Sequence, residues 1–545
     1  VRLALAQINT TIGDLSGNVD RAARALSEAA SRGADLVVLP ELTLSGYPPL
    51  DLVDRTAFVR ANTEALERLA REAPAQPAVV GFVGQSDHDT GKAATNAAAV
   101  LVGGRIVAVR TKTLLPTYDV FDESRHFQPA AANEPVDIAG LPVGITICED
   151  MWNDRLFWPR PLYGVDPVEG LAAAGAKLLL NLSASPFSAG KQGFRREMLA
   201  ATARRHGVPL GYVNLVGGND QLIFDGRSLV FDAEGRILAE GKAFEEDIVV
   251  VGLDAPPLDP PAALPDDISD IRTALELGLR DYVRKCGLSR VVFGLSGGID
   301  SALTAALAAS ALGPANVTAI YMPSTFSSDL SGEDASRLAG NLGIDFHIVP
   351  IERMRASAEG SLEPLFMGTE PGVAEENIQA RLRGMIVMAY ANKHGCLPLA
   401  TGNKSELAVG YCTLYGDMVG GLAVIGDLPK TTVYRLAEHF NKDSEIIPRS
   451  TVERAPSAEL KLNQTDQDIL PPYDVLDGIL NLYIEKNCDL DEIVAAGYEP
   501  ETVREVLRMV DRAEFKRRQA PITLRVTGKA FGSGRRLPVA QRWPR

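Results

Sequence analysis

Five prolines, Pro256, Pro257, Pro260, Pro261 and Pro265, fall within the eleven residues from Ala255 to Pro265. Each removes a backbone N–H and fixes φ near about −65°, so this stretch suits neither a helix interior nor the middle of a sheet. A chain of 545 residues also exceeds what one hydrophobic core usually organises. The prolines therefore predict a boundary, with one domain over 1–254, a linker over 255–267 and a second domain over 268–545.

Both halves read as α/β. From Val1 to about Leu253, short β-rich runs such as Leu36-Val37-Val38-Leu39 and Val143-Gly144-Ile145-Thr146-Ile147 alternate with alanine-rich helices. One such helix is predicted from Asn18 to Ala30, with Asn18 as N-cap and Gly33 beyond its end. From about Ile268 to Leu480, strands alternate with long helices, the rhythm of a parallel sheet covered on both faces. No internal repeat and no low-complexity tract interrupts either half. The final stretch, Phe515 to Arg545, is basic in an otherwise acidic chain.

Composition removes several function classes. A formal net charge of −15 argues against nucleic acid as the main partner, because such binding rests on neutralising phosphates. No apolar run reaches the roughly 18 residues of a membrane span. The five cysteines are scattered and no secretory leader precedes Val1, which points to the cytoplasm and free thiols. The six histidines form no metal-ligand spacing, so a zinc enzyme is not expected.

The sharpest local signal is Val291-Val292-Phe293 running into Gly294-Leu295-Ser296-Gly297-Gly298-Ile299-Asp300-Ser301, then into an alanine-leucine helix ending near Gly313. A buried strand that turns through glycines into a helix start exposes backbone N–H groups beside the positive end of the helix dipole, which suits a phosphate. The Walker lysine is missing and the glycine spacing differs from the dinucleotide fingerprint.

Ser296 to Ser301 resembles the SGGxDS loop of the ATP pyrophosphatase superfamily, whose members cleave ATP to AMP and pyrophosphate while adenylating a carbonyl oxygen. The resemblance implies a doubly wound parallel sheet, ATP held along Gly294 to Ser301, and Mg2+ bound with help from Asp300. Within that superfamily, six strings resemble the NAD synthetase family: Thr401-Gly402-Asn403-Lys404-Ser405-Glu406 with Gly410-Tyr411-Cys412-Thr413 and Tyr415-Gly416-Asp417, Glu375 to Arg381, Pro456-Ser457-Ala458-Glu459-Leu460, and Lys516-Arg517-Arg518-Gln519-Ala520-Pro521. By that likeness Thr401 contacts ATP, Asn377, Glu406 and Lys516 bind deamido-NAD, and Glu406 joins Asp300 at the metal. The basic tail, with Lys516, Lys529, Arg535 and Arg536, becomes a candidate lid. The family also implies a homodimer or larger homo-oligomer.

In the first half, three residues sit at or just past apolar strands: Glu41 after Leu36 to Pro40, Lys112 after Ile106 to Arg110, and Cys148 after Ile145 to Ile147. Strand ends can project side chains into one crevice. Amide cleavage by a thiol needs a nucleophile, a proton carrier and a positive donor for the oxyanion. Cysteine, glutamate and lysine supply those parts.

Pro40-Glu41-Leu42, Lys112-Thr113-Leu114-Leu115-Pro116 and Ile147-Cys148-Glu149-Asp150 resemble the three catalytic motifs of the nitrilase, or carbon-nitrogen hydrolase, superfamily. That resemblance implies an αββα sandwich and a Glu41, Lys112, Cys148 triad. Tyr118, Ser185 and Lys191 match glutamine-binding positions of the glutaminase members joined to NAD synthetase. Glu123 is counted with them as a second, supporting carboxylate. Glutamine, ATP and deamido-NAD are then the expected substrates, and ammonia made in one domain calls for an enclosed passage to the other.

Other amidotransferases fit less well. A GMP synthetase would bring a Cys-His-Glu glutaminase, and His88, His126 and His206 stand in no such setting. Asparagine synthetase would need an amino-terminal cysteine, where this chain has Val1. A silent binding module in either half would lack one of these constellations, and both are present.

Overall fold

The computed structural model describes residues 1–264, 266–461 and 464–541. Pro265 of the proline cluster and the last four residues of the basic tail lie outside the described residues. The chain divides into two compact units, Val1–Pro265 and Asp266–Arg545. The described part of the proline-rich segment is laid onto the first unit, where the Leu258 N–H donates to the Ile237 carbonyl at 2.7 Å and an Arg196 guanidinium N–H donates to the Ala262 carbonyl at 2.8 Å.

Two six-stranded mixed sheets build the first unit. One runs in the order Asp247–Gly252, Arg2–Gln7, Leu36–Val38, Ala78–Gln85, Ala94–Val102, Arg105–Thr111; the other runs Ile237–Glu240, Leu229–Phe231, Leu210–Asn214, Leu178–Ser183, Leu141–Ile147, Val136–Ile138. Side chains alternate along each strand. Leu3 and Leu5 pack with Ile145, Leu178 and Leu180 of the facing sheet. Ala4 and Ala6 face outward, against Val19, Ala22 and Leu26 of helix Leu15–Ser31 and Leu66 and Leu69 of helix Thr56–Glu72. Leu179, Leu210 and Tyr212 meet Leu171 of helix Pro167–Ala173 and Met198 and Leu199 of helix Lys191–His206. The result is the expected four-layer αββα sandwich. A Cβ at Gly211 would stand 2.8 Å from Leu3 Cδ2 and 3.1 Å from Leu180 Cδ2, so glycine there lets the sheets close.

The helix predicted from Asn18 starts earlier. Asp14 is its N-cap and accepts from the Gly17 N–H. Asn18 is buried inside the helix and donates to the carbonyls of Thr11 and Leu44. A tertiary contact with the loop before Gly46 claims the side chain that local reasoning gave to the cap.

The second unit holds one parallel sheet, ordered Asp345–Ile348, Val317–Tyr321, Val291–Gly294, Leu397–Ala400, Leu422–Ala423, Ile522–Thr523. In chain order these strands read 3-2-1-4-5-6, the doubly wound arrangement expected. Its connections reverse direction between Val291–Gly294 and Leu397–Ala400, and such switch points open a crevice at the carboxyl ends of the strands. Val292 and Ile320 pack with Val387 and Ala391 of helix Val373–His394. Helix Ile299–Leu312, buried almost all round, packs on strand Val317–Tyr321 and against helices Asp267–Lys285 and Lys430–Phe440.

A satellite cluster of helices follows, with Leu476, Ile479, Val503 and Val506 at its centre. Much of the described basic tail is folded onto it. The Arg535 guanidinium lies 5.5 Å from the centre of the Tyr483 ring, and Lys529 Nζ donates to Asn487 Oδ1 at 2.9 Å. Of the four basic residues named above, Lys516 lines the crevice.

Candidate active sites

In the first unit, strand Leu36–Val38 delivers Glu41, strand Arg105–Thr111 delivers Lys112, and strand Leu141–Ile147 of the other sheet delivers Cys148. All three side chains are buried. Lys112 Nζ donates to Glu41 Oε1 at 2.7 Å and to both oxygens of Glu123 at 2.8 Å. The second oxygen of Glu41 accepts the Ala184 N–H at 2.9 Å. Cys148 sits where strand gives way to a short helical turn, in a left-handed conformation with φ +41°. A non-glycine residue in that region carries local strain that its surroundings must hold.

The backbone near Glu41 is packed equally tightly. A Cβ at Gly81 would fall 2.4 Å from the Pro40 carbonyl oxygen and 2.5 Å from the Leu42 nitrogen. Only glycine lets strand Ala78–Gln85 lie against the Glu41 turn.

The electrostatics follow from burial. Desolvation, helped by the nearby charge of Glu41, pushes the Cys148 thiol well above its ordinary range, and Lys112 pulls it partly back. Burial therefore favours the neutral thiol at Cys148. Burial works to lower Lys112, but Glu123 and Glu41 outweigh it and hold the ammonium above its ordinary value. Glu123 is lifted by burial and by Glu41, against the pull of Lys112.

Glu123 thus lies on Lys112, as a counter-charge. Tyr118 Oη donates to Glu149 at 2.9 and 3.0 Å, and Glu149 directly follows the thiol. Ser185 and Lys191 meet each other, with Nζ 2.9 Å from Ser185 Oγ and 5.2 Å from the centre of the Trp152 ring. Ser185 adjoins Ala184, whose N–H is on Glu41.

Three side chains here escaped the sequence reading. Asn96 Nδ2 donates to Glu41 Oε1 at 2.7 Å and to Glu123 Oε2 at 3.3 Å. Tyr47 Oη donates to Glu123 Oε1 at 2.9 Å. Asp150, which closes the Ile147-Cys148-Glu149-Asp150 motif, accepts the N–H groups of Thr113, Leu114 and Ile147. Burial lifts its carboxyl to about 7 against those three bonds. The one available signal was polarity: Asn96 interrupts an alanine-valine strand.

In the second unit, a cleft of about 460 Å³ opens at the switch point. Gly294 to Ser301, Thr401, Asn377, Glu406 and Lys516 all line it. The glycine-rich loop is braced internally: Ser296 Oγ accepts the Gly298 N–H at 3.2 Å, and Ser301 Oγ donates to the Gly298 carbonyl at 3.0 Å. Gly297 has φ +83°, and a Cβ there would meet the Ser331 carbonyl oxygen at 2.3 Å. The loop runs into the start of helix Ile299–Leu312, whose dipole adds positive potential.

Asp300 and Glu406 converge on one cation. Lys430 Nζ pairs with Asp300 Oδ2 and, at 3.1 Å, with Glu406 Oε1. Asn403 Nδ2 donates to Asp300 Oδ1 at 2.8 Å. Burial raises Glu406 to about 8, with Lys430 opposing and Asp300 adding to the rise. Lys430 was not singled out from sequence, because a lysine at a helix start reads as solvated. Asn377 Oδ1 accepts from Thr413 Oγ1 at 2.7 Å, and Lys516 Nζ donates to the carbonyls of Gly410 and Cys412 at 2.6 and 2.7 Å.

Comparison with known proteins matches this division. Residues 2–259 fit the carbon-nitrogen hydrolase family and residues 271–520 the NAD synthase family, so the chain joins an amide hydrolase to a nucleotide-binding synthase. It is 48% identical to a glutamine-dependent NAD(+) synthetase of Synechocystis, covering 99% of this chain and 98% of that one. It is 43% identical to the protein of the same description from Thermotoga maritima, covering 100% and 99%. A solved glutamine-dependent NAD(+) synthetase from Acinetobacter baumannii, in complex with adenosine diphosphate, is 38% identical with a TM-score of 0.76, covering 99% of this chain and 98% of that one. The chain belongs to the glutamine-dependent NAD(+) synthetase family.

Proposed function

We propose that the first unit hydrolyses glutamine to glutamate and ammonia, and that the second adenylates deamido-NAD with ATP and amidates it, giving NAD, AMP and pyrophosphate. The observation that carries this reading is the pairing, in one chain, of the buried Glu41–Lys112 contact beside Cys148 with a glycine-rich loop at a parallel-sheet switch point.

Glutamine enters with Tyr118, Ser185 and Lys191 around it. Cys148 Sγ attacks the side-chain amide carbon while its proton passes to Glu41. The neutral resting thiol makes that transfer part of the attack. Lys112 and its charge stabilise the tetrahedral oxyanion, and Glu123 holds Lys112 in place. Glu41 then returns the proton to nitrogen as the C–N bond breaks and ammonia leaves. Water, deprotonated by Glu41, cleaves the thioester and frees glutamate and the thiol.

In the second unit, Gly294 to Ser301 and Thr401 hold ATP, and Asn377, Glu406 and Lys516 hold deamido-NAD. A carboxylate oxygen of deamido-NAD attacks the α-phosphorus, and pyrophosphate departs. Adenylation turns a poor leaving oxygen into a good one, so ammonia adds to the carbonyl and expels AMP. Asp300 and Glu406 suit Mg2+, because both already turn toward one positive charge and such an ion commonly takes one or two carboxylates plus phosphate oxygens. Bound there, Mg2+ would neutralise phosphate charge.

A homodimer or larger homo-oligomer fits helix Val373–His394, which carries Asn377 and leaves Met385 and Met388 exposed at 51% and 37%. Two exposed methionines three residues apart on one helix suit a contact between copies of the chain. Among the described residues no helix is long and apolar enough to cross a membrane, and all five cysteines are free. A reducing cytoplasm supplied with ATP suits both.

Mass analysis of products after incubation with glutamine, ATP, Mg2+ and deamido-NAD tests the whole reading. NAD, AMP, pyrophosphate and glutamate in equal amounts are expected. Absence of NAD formation would reject it.

A further inference from the structure

We propose that Asp150 is a positioning residue of the glutaminase centre, registering Lys112 on one sheet against Cys148 on the other. The inference rests on the glutaminase reading of that site. Asp150 is 1% exposed, and its two carboxylate oxygens serve two different segments. Oδ1 accepts the N–H groups of Thr113 and Leu114, at 3.0 and 2.7 Å, in the residues directly after Lys112. Oδ2 accepts the N–H of Ile147 at 3.0 Å, in the residue directly before Cys148.

A cap for the short Cys148–Met151 turn needs only the Ile147 bond. The other two reach a segment 36 and 37 residues away in the chain, leaving the end of the opposite sheet's edge strand. Lys112 and Cys148 therefore sit one residue from either arm of a single planar carboxylate. Such a group fixes the separation of the two segments, because its oxygens cannot move apart. The strained backbone of Cys148, at φ +41°, needs this kind of support, and Asn181 Nδ2 adds a weaker bond to the Cys148 carbonyl at 3.3 Å.

Oxyanion stabilisation depends on where the lysine stands relative to the attacked carbon, whereas glutamine is held mainly by the Tyr118, Ser185 and Lys191 region. Loss of the clamp should therefore act on turnover more than on binding.

The test compares Asp150→Asn, which keeps shape and one acceptor oxygen, with Asp150→Ala in the full chain, measuring kcat and KM for glutamine hydrolysis and ammonium-driven NAD synthesis. Asp150→Asn should lower glutaminase kcat by roughly 10²-fold while leaving KM within about 2-fold, and Asp150→Ala should lose more. Ammonium-driven synthesis should persist in both. If Asp150→Ala does not fold, the isosteric variant decides alone. An unchanged kcat in Asp150→Asn, a loss confined to KM, or an equal loss of ammonium-driven synthesis would overturn the proposal. A Cys148→Ala control that still hydrolysed glutamine would sink the glutaminase reading itself, separately from the clamp.

Discussion

Both carboxylate oxygens of Glu123 stand 2.8 Å from the Lys112 ammonium. With Glu41 on the same nitrogen at 2.7 Å, one buried cation is shared by two buried acids. Removing that cation leaves two like charges in a dry pocket.

Lys112→Met is accordingly expected to do three things. Glutaminase kcat should fall by roughly 10²–10³-fold, the scale of a lost oxyanion donor. Stability should drop by about 3–5 kcal/mol, as when one partner of a buried pair is removed. Alkylation of Cys148 by iodoacetamide at fixed pH should slow, because Lys112 pulls the thiol down. Faster alkylation would contradict the assigned electrostatics.

Cys148→Ala separates the two activities. NAD formation from glutamine should disappear while formation from ammonium salts continues at near wild-type rate. Parallel assays with the two nitrogen sources check this, and joint loss would reject the division of labour.

Asp300→Ala should stop synthesis from either nitrogen source. It removes one of the two carboxylates facing Lys430 and leaves glutamine hydrolysis by the first unit intact. Undiminished ammonium-driven turnover would exclude a role for this aspartate at the nucleotide.

Gly81→Ala probes the backbone beneath Glu41. The added carbon would lie 2.4 Å from the Pro40 carbonyl oxygen, so the Glu41 turn must move. A stability loss of about 1–3 kcal/mol, typical of overpacking, should accompany a fall in glutaminase kcat. A fully active, equally stable variant would show that the turn yields freely.

A pH dependence follows from Asp150, whose carboxyl burial lifts from 3.8 to about 7. Its folded value is raised, so the folded state binds the proton more tightly than the unfolded chain. The stability this contributes is full below the unfolded value and is lost as pH rises through about 7. Thermal melts should give wild type a larger margin over Asp150→Asn near about pH 5 than near about pH 8. A margin that grows with pH would contradict the sign.

Much of this protein is written locally in its chain. Alternating strands and alanine-rich helices marked both halves as α/β, because side-chain period and burial are set residue by residue, while the αββα sandwich of the first half was implied by the family resemblance. Glu41, Lys112 and Cys148 stood at or just past apolar strands, but their grouping as a triad came from the resemblance of their motifs to the carbon-nitrogen hydrolases; the loop from Gly294 to Ser301 stood out because its glycines, serines and aspartate are consecutive. What only the tertiary structure decided are contacts between distant segments. Lys430 reaches Asp300 across 130 residues and Asp150 reaches Thr113 across 37; Asn18 gave up a cap to bond Leu44. A lysine, an asparagine or an aspartate carries no local mark of burial. Its partner is chosen by how sheets and helices pack, since only packing removes water and makes an unpaired polar group costly.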